Sequence, residues 1–543
     1  MADILKIGVS GLQAAQRALS TTGNNITNVN TPGYSRQRVD FSTRQDQILG
    51  GLAIGKGVDI ANVSRIVNEF LNTNVQTSGT NVGNAASYNN YSSQVDGLLA
   101  DNVIGLSPSL QEFFDSVNGL ANDPSSVSIR QTMLGQGEAL AGKFHSLNTQ
   151  LDLLNQGVNA ELKANVSQVN ALTTSIAEIN ENLSRFNGQT NNAGSNSLRD
   201  QLGGAVNELA RLIGISTTKV NDGTLNITTT SGQVLVSGAT SVNLATQADP
   251  LNPSKLDVTY QVGSSSVVIT DHLSGGELSG LIQVRSEVLD ETRNALGRIA
   301  AGLAQAFNTQ QAAGEDLDGL AGTDLFTIPN PVVAADATVT GVVAATFDPA
   351  NIAQLTTSDY TISFDGANYT MTRLSDNTAV FTGAGPAFSA DGMNFNFTTG
   401  AAAGDIYLVQ PMQQVARQFD VLMTDPRKIA AAGVGTGVGD NANVLIMADL
   451  QLNNILENGN ANFNDAYGQL IGDIGTKARQ AKTGLEAMEA VEQSAIEARE
   501  NVSGVNLDEE AADLLKFQQA YQAAARVISV GNELFGTLLQ AIR

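Results

Sequence analysis

Apolar residues recur in steps of three and four at both ends of the chain. Near the N-terminus this repeat covers residues 4–29 and predicts a single helix. The flanking side chains are mostly Gln, Asn, Ser and Thr, so few charges lie beside the apolar positions. Those positions form a heptad seam that consists of Leu5, Gly8, Leu12, Ala15, Leu19, Thr22, Ile26 and Val29.

The C-terminal end shows the same repeat and predicts a second long helix. Asn506 is a candidate N-cap, and Glu509, three residues later, would complete a capping-box-like pair. A further apolar stripe from Tyr467 to Val502 predicts another helix just before it. The seam of the last helix consists of Leu514, Phe517, Tyr521, Ala524, Ile528, Gly531, Phe535, Leu538 and Ile542.

An Asn-rich loop follows the first helix. Pro32-Gly33 fits the two central positions of a type II turn, so we expect the chain to reverse between Thr31 and Tyr34. A helix end needs only one such breaker, and this loop has several, which makes it a candidate functional motif. The motif consists of Asn24, Asn25, Asn28, Asn30, Thr31, Pro32, Gly33 and Tyr34.

The interior of the chain predicts a mainly helical body with β structure in two places. Residues 61–322 form the expected helical domain, with a small β insertion at about 214–272 where apolar residues alternate. Residues 323–412 alternate again and predict a separate antiparallel β domain. Residues 413–502 return to the helical domain, while 1–60 and 503–543 hold the terminal helices. The predicted fold class is therefore multidomain α+β with long coiled-coil-type terminal helices.

Composition narrows the possible functions. The 543 residues include 53 Asp and Glu, 29 Lys and Arg and no Cys, which gives a net charge of −24. Without Cys there are no disulfides and no Cys-based metal sites. Strong acidity argues against nucleic acid and anionic membranes as partners. We expect no transmembrane helix and no secretory signal, because no apolar run is long enough.

Two loops have a faint likeness to ligand sites. Asp316, Asp318 and Asp324 resemble part of a calcium loop, but the EF-hand spacing fails. The run GVGTGVGD at 433–440 lacks the Lys-Ser/Thr of a P-loop, and we interpret it as a flexible connection. We therefore expect no metal, no cofactor and no catalytic residues.

The two ends carry longer and more specific motifs. The run SGLQAAQRALSTTGNNITNVNTPGYSRQRVDF, from Ser10 to Phe41, resembles the N-terminal signature of the bacterial flagellar axial proteins. The run SGVNLDEEAADLLKFQQAYQAAARVISVGNELFGTLLQ, from Ser503 to Gln540, resembles their C-terminal signature. The helical block from Ser64 to Leu212 is similar to the member of this family that joins hook and filament. A hook or distal rod protein is the alternative.

The resemblance implies a structural, non-enzymatic protein that assembles through the seam residues of its terminal helices. It implies export through the flagellum's own channel without a cleaved signal, and an extracellular position in the flagellum. The implied partners are copies of the chain, the hook protein, the second junction protein and an export chaperone on the C-terminal helix. A flagellar peptidoglycan hydrolase with axial-type ends is an alternative from another class, but no acid/base pair supports it.

Overall fold

The computed structural model describes residues 2–49, 52–101, 105–186, 193–221, 223–263, 265–336, 338–339 and 341–541. Long helices dominate the chain, as the apolar periodicity predicts. The α-helices are α1 (Ala2–Thr27), α2 (Glu69–Ala100), α3 (Ser107–Asn122), α4 (Val127–Arg185), α5 (Ala193–Leu212), α6 (Gly276–Val284), α7 (Glu291–Ala312), α8 (Val415–Gln418), α9 (Ala442–Asp449), α10 (Phe463–Ser503) and α11 (Leu507–Ala541).

Helix α4 organises the body. Its 59 residues contain no proline and span about 88 Å at 1.5 Å per residue. The hydroxyl of Ser126 caps its first turn by accepting a hydrogen bond from the amide of Ile129. Helices α3, α5 and α8 pack along it, and α2 and α10 pack against each other beside them. Helices α6 and α7 are joined by the π-helical turn Arg285–Asp290.

The first β structure is a hairpin that the sequence analysis did not predict. Its strands are β1 (Gln37–Thr43), β2 (Gln47–Leu49), β3 (Leu52–Ile54) and β4 (Val58–Arg65), with β1 paired to β4 and β2 to β3. The sequence analysis predicted no strands there and assigned residues 1–60 to the N-terminal helix and the Asn-rich turn. Among the hairpin residues whose burial is described, Val39 and Val63 are the buried apolar ones, and both pack in the small core beside the terminal helices.

The expected β insertion forms two small antiparallel sheets against α4. Side-chain amides of α4 bind the edges of these sheets: Asn180 donates to the carbonyls of Leu225 and Gly238, and Asn170 donates to that of Leu244. The strands are β5 (Ile215–Lys219), β6 (Leu225–Thr229), β7 (Val234–Ser237), β8 (Thr240–Ser241), β9 (Leu244–Ala248), β10 (Leu256–Val262) and β11 (Ser265–Val268).

The remaining strands include a separate antiparallel β region, as the sequence predicts. Two sheets, β13-β20-β15-β16-β17 and β14-β19-β18, face each other there, while β12 pairs with β21 in the body. The strands are β12 (Gly314–Glu315), β13 (Val332–Ala335), β14 (Val342–Phe347), β15 (Tyr360–Phe364), β16 (Tyr369–Arg373), β17 (Ala379–Gly383), β18 (Ala387–Ala390), β19 (Met393–Thr399), β20 (Ile406–Gln410) and β21 (Ala432–Gly433).

The acidity of this β region follows from its turns. Asp336, Asp365 and Asp376 each accept hydrogen bonds from backbone amides two or three residues ahead. The short carboxylate of Asp reaches these amides and the longer one of Glu does not, which fits a region that has Asp in its turns and no Glu. Its single basic residue, Arg373, lies between the sheets and pairs with Asp391 at 2.6 Å.

The buried apolar residues form two separate cores. One large core joins the helical body, the β insertion and the outer β region. The second is small and contains Ala18 of α1 with Val39 and Val63 of the hairpin, and Phe517 of α11 packs against it. The terminal helices therefore belong to a unit that is distinct from the body.

A buried carboxylate lies where the outer β region meets α7. Asp359 accepts hydrogen bonds from Gln410 at 2.9 Å and from Asn294 of α7 at 3.2 Å. Burial raises the pKa of Asp359 above its usual value, and the Gln410 amide offsets this only in part. The ionised form is therefore disfavoured in the folded protein.

This shift predicts a pH-dependent contribution to stability. Because the folded-state pKa exceeds the unfolded value of about 3.9, the ionised carboxylate destabilises the fold at neutral pH. That penalty shrinks as the pH falls through the folded-state pKa. We expect Asp359→Asn to raise the melting temperature at pH 7.5, with the Gln410 amide turned so that its oxygen accepts from the new Asn nitrogen, and the gain to shrink towards pH 4. Thermal melts across this pH range test it, and a gain from this substitution that grows on acidification would contradict the assignment.

Candidate functional site: the terminal hub

Helices α1 and α11 pack closely and run antiparallel. Leu5 lies against Gly531, Gly8 against Ile528 and Gly11 against Ala524. A Cβ atom on Gly8 would lie 2.7 Å from Cγ1 of Ile528, closer than any stable contact. Glycine on one helix thus makes room for a large side chain on the other, and the two ends of the chain come together.

The seam residues lie on or beside this contact. Leu5, Leu12, Leu19 and Ile26 of α1 are partly buried, as are Leu514, Phe517 and Ile528 of α11, while Tyr521 is more exposed. Phe535 and Leu538 are exposed because Gly531 already lies opposite Leu5, so the last turns of α11 extend past the start of α1. The predicted seam residue Ile542 lies outside the described residues.

The expected turn after α1 is present. The amide of Tyr34 donates to the carbonyl of Thr31 at 3.1 Å, and Gly33 has φ +79°. That left-handed conformation is the one that a type II turn requires at its third position. The amide of Thr31 bonds to the carbonyl of Asn28, so the helix end and the turn are continuous.

Asn25 is the buried centre of the motif. Its Nδ2 donates to the carbonyl of Gln37 at 2.9 Å and to Oε2 of Glu510 at 3.0 Å. Its Oδ1 accepts from the Gln37 amide at 3.0 Å and from the Tyr34 hydroxyl at 2.8 Å. The tyrosine hydroxyl in turn accepts from Asn24 Nδ2. Burial raises the pKa of Tyr34 to about 12, so this phenol stays protonated.

Glu510 supplies the C-terminal side of the site. Its side chain is almost completely buried, and its Oε1 lies 2.7 Å from Nε of Arg36. Arg36 also pairs with Glu509, and its backbone amide donates to the carbonyl of Ser503 at 2.8 Å. We call Asn25, Tyr34, Arg36 and Glu510 the terminal hub.

The sequence analysis found only part of this hub. It identified Asn25 and Tyr34, and it placed Asn506 as the helix cap, which the structure confirms through the amide of Asp508 at 3.0 Å. It assigned Glu509 to a capping box, whereas that carboxylate pairs with Arg36. It did not assign Arg36 or Glu510 to the site, although a charged residue just after an uncharged motif was a usable signal.

The unit formed by the terminal helices and the β1–β4 hairpin is attached to the body by polar contacts. Arg65 at the end of β4 pairs with Asp200 of α5 at 2.7 Å and donates to the Ser35 hydroxyl at 3.0 Å. Asn196 of α5 donates to the carbonyl of Val63 at 2.8 Å. Burial raises the pKa of Asp200 and lowers that of Arg65. The charged groups of Arg65 and Asp200 are therefore largely shielded from water at the contact with α5.

The described residues show no arrangement suited to metal binding or to a membrane span. No cluster of His, Asp and Glu among them has the geometry of a metal site. Asp318 of the calcium-like loop pairs with Lys428 at 3.0 Å, which places a positive charge where a cation would bind. Within the described ranges, no helix is long and apolar enough to cross a bilayer.

The two ends define the class of protein. Residues 5–34 match the family described as "Flagella basal body rod protein", and residues 498–541 match "Flagellar basal body rod FlgEFG protein C-terminal". These segments contain α1 with the turn motif and α11 with Glu510. The two ends are therefore those of a flagellar axial protein.

The body identifies the family within that class. Residues 92–326 match "Flagellar hook-associated protein FlgK helical domain", and residues 334–411 match "Flagellar hook-associated protein 1, D2-like domain". The chain is 34% identical to flagellar hook-associated protein 1 of Escherichia coli, over 99% of this chain and 100% of that protein. It is 26% identical to flagellar hook-associated protein 1 of Bacillus subtilis, over 98% of this chain and 96% of that protein. The chain belongs to the flagellar hook-associated protein 1 family.

A solved structure supports the fold. The flagellar hook junction protein FlgK from Burkholderia pseudomallei superposes with a TM-score of 0.74 and 24% sequence identity. The match covers 80% of this chain and all of that one.

Removing the charge of Glu510 should destabilise the paired helices α1 and α11 and leave the body unchanged. Glu510→Ala leaves Arg36 and Asn25 without their buried partner and should destabilise the α1–α11 unit by about 2–4 kcal/mol. Glu509→Ala is the matched control, since this carboxylate is 58% exposed and should cost less than about 1 kcal/mol. Hydrogen exchange of α1 and α11 amides measures both. The body amides should not change, because the body has its own core.

Equal exchange rates in the two variants would contradict this ranking. Faster exchange throughout the body would show instead that the hub contributes to the stability of the large core.

Proposed function

We propose that the chain is a structural subunit of the junction between the hook and the filament of the bacterial flagellum. The observation that carries this proposal is the pairing of axial-type ends through the hub, on a chain whose body matches the hook-associated protein 1 family. Relatives of full length carry that name, and the solved structure that it resembles is called a flagellar hook junction protein.

The mechanism is mechanical and uses the outer surface of the terminal helices. Large apolar side chains of α11 remain exposed after α11 has paired with α1. Neighbouring copies would cover these side chains. The region is almost uncharged beyond Arg526, so apolar burial rather than ion pairing would drive assembly. These side chains are Leu507, Leu515, Val527, Val530, Leu534, Phe535, Leu538 and Leu539.

The same proposal assigns the seam and the motif to assembly. Leu5, Leu12, Leu19, Ile26, Leu514, Phe517, Tyr521, Ile528, Phe535, Leu538 and Ile542 would form the inner contacts of the tube. The Asn-rich turn would set the angle at which the helices leave the body. The division at residues 60, 322, 412 and 502 would separate the terminal segments, the helical domain and an outward-facing β domain, with the first boundary moved to the end of β4 at Arg65.

The proposed partners follow from a place between hook and filament. They are copies of this chain, the hook protein, the second junction protein and an export chaperone on the C-terminal helix. The protein would leave the cell through the flagellar channel without a cleaved signal and would have no enzymatic role. The relatives' names describe flagellar parts and are consistent with that.

A hook or distal rod protein is the other candidate, because the ends are shared with those proteins. A hook protein of Treponema pallidum is 34% identical, but over only 87 residues, and a rod protein of Bacillus subtilis is 42% identical over 60. Both matches cover less than a sixth of this chain, whereas the match to flagellar hook-associated protein 1 of Escherichia coli covers 99% of it.

Deletion of the gene separates the two candidates. For a junction protein, electron microscopy should show complete hooks without filaments, and flagellin should appear in the medium. Missing hooks or rods would favour the alternative. A cell-wall hydrolysis assay on the purified protein tests for an enzyme, and any activity would contradict the structural role.

The exposed end of α11 predicts a specific loss of assembly. Leu538→Asp places a charge in the proposed apolar contact and should abolish junction formation, and Phe535→Asp should do the same. Arg526→Gln is the control on the same helix and should leave motility near normal, because exposed ion pairs contribute little. Motility and filament counts measure the effect. Equal losses from Arg526→Gln and Leu538→Asp would contradict assembly by apolar burial.

A further inference from the structure

A polar cavity lies at the joint between the body and the unit formed by the terminal helices and the β1–β4 hairpin, which we call the terminal unit. Its volume is about 120 Å³, which is several times the roughly 10–15 Å³ that one water needs. The turn at Gly33 and the end of β4 at Arg65 border the cavity from the terminal unit. The first turns of α2, the middle of α5 and the strands β5 and β6 border it from the body, together with Arg499 near the end of α10.

The charges around this cavity run against the composition of the chain. The whole sequence has 53 Asp and Glu but only 29 Lys and Arg. The cavity wall, in contrast, has four basic side chains and two carboxylates, which leaves a net charge of +2. A local excess of positive charge in a strongly acidic protein indicates a place that is suited to an anion. The basic side chains are Arg65, Arg199, Lys219 and Arg499, and the carboxylates are those of Glu69 and Asp200.

Each carboxylate of the wall is already paired with a basic side chain of the wall. Asp200 lies 2.7 Å from Nη2 of Arg65, and both side chains of this pair are largely buried. Glu69 lies 2.7 Å from Nζ of Lys219, and both side chains of this second pair are exposed. The excess positive charge therefore belongs to the two remaining arginines.

These two arginines have unused donors. Arg199 is exposed and makes no ion pair and no side-chain hydrogen bond within the part of the chain that the structure describes. The side chain of Arg499 is only 16% exposed, and its nearest carboxylate oxygen among the described residues, Oε1 of Glu500, is 3.7 Å away. That distance is too long for a hydrogen bond. Both guanidinium groups can therefore bind a further acceptor.

A buried donor of Arg65 also lacks an acceptor. Nη2 of Arg65 contacts Asp200 and the hydroxyl of Ser35, but its buried Nε makes no hydrogen bond within the described ranges. Burial lowers the pKa of Arg65, Asp200 opposes this shift, and the positive charge of Arg199 lowers the pKa further. A buried N–H without an acceptor is costly, and so is the repulsion between two guanidinium groups. An anion in the cavity would relieve both.

Two glycines keep one wall of the cavity open. Gly203 and Gly204 lie in the middle of α5 and line the cavity. Glycine within a helix is less stable than alanine. A Cβ atom on either glycine would meet no atom within 4 Å, so packing within the described chain does not require glycine here. The absence of side chains at these positions leaves room for a ligand beside Arg199.

We propose that this cavity binds a small, doubly charged oxyanion such as inorganic phosphate. A dianion matches the net charge of the wall. An oxyanion also offers acceptors in several directions, which suits the planar fork of a guanidinium group better than a monatomic ion does. Arg65 would donate through Nε, and Arg199 and Arg499 would donate through their unused N–H groups.

A bound anion would connect the terminal unit to the body. Arg65 belongs to the terminal unit, whereas Arg199 lies on α5 and Arg499 on α10. The terminal unit and the body have separate apolar cores, so polar contacts carry much of the joint between them. An anion that binds only the closed joint stabilises it by mass action. This inference goes beyond the proposed function and does not depend on it.

Equilibrium dialysis of the purified full-length chain with labelled phosphate tests the proposal. At pH 8 and constant ionic strength in chloride, we expect one phosphate to bind per chain. Arg199→Gln should weaken binding at least tenfold and leave the fold intact, because Arg199 is exposed and unpaired among the described residues. Arg199→Lys keeps the charge and should restore part of the affinity. Arg417→Gln is the matched control, since Arg417 of α8 is also exposed but does not line the cavity.

Hydrogen exchange provides a second readout at the joint itself. Phosphate should slow exchange of the amides at the end of β4 and in the first turns of α2 in the wild-type chain, but not in Arg199→Gln. Three results would overturn the proposal. These are no saturable phosphate binding, equal affinities of Arg199→Gln and Arg417→Gln, and phosphate binding that leaves exchange at the joint unchanged.

Discussion

The terminal unit, formed by the two ends of the chain, depends on the buried carboxylate of Glu510, whose partners lie far away in the sequence. Glu510 has its charge compensated by Arg36 and its second oxygen bound by Asn25, and both of these residues come from the opposite end of the chain. A buried charge without such partners is costly, so the hub forms only when both ends are in place. Gly8 and Gly11 of α1 and Gly531 of α11 impose the same condition on the helices, because each of these three packs against a side chain of the other helix.

The two cores give the molecule two levels of stability. The body buries large aromatic residues in a single core, whereas the terminal unit buries mainly Ala18, Val39 and Val63. Because apolar burial is the main favourable term in folding, the body is the more stable part. The terminal unit retains apolar surface that further copies would cover.

Much of the fold could be predicted from the sequence, and the exceptions have a common cause. The terminal helices, the long helix α4 and the turn at Pro32-Gly33 follow from local periodicity and turn chemistry. The β1–β4 hairpin did not, because its strands are defined by contact with α1 and α11 rather than by their own alternation. Arg36 and Glu510 were missed for the same reason, since they lie 474 positions apart in sequence. The Gly-rich loop at 433–440, interpreted as a flexible connection, is an exception without that cause, because Asp440, which accepts from the Gly433 amide, lies within the run itself.

The chain crosses between the terminal unit and the body at two neighbouring points. The Arg36 amide binds the carbonyl of Ser503, where the chain leaves the body, and the Ile66 amide binds the carbonyl of Arg36, where it enters. Topologically, the whole body is thus an insertion into a small unit made of the two ends. Such an arrangement allows the inserted part to be enlarged, reduced or exchanged over evolutionary time without disturbing the packing of the ends. One pair of ends can therefore serve proteins whose bodies have little else in common.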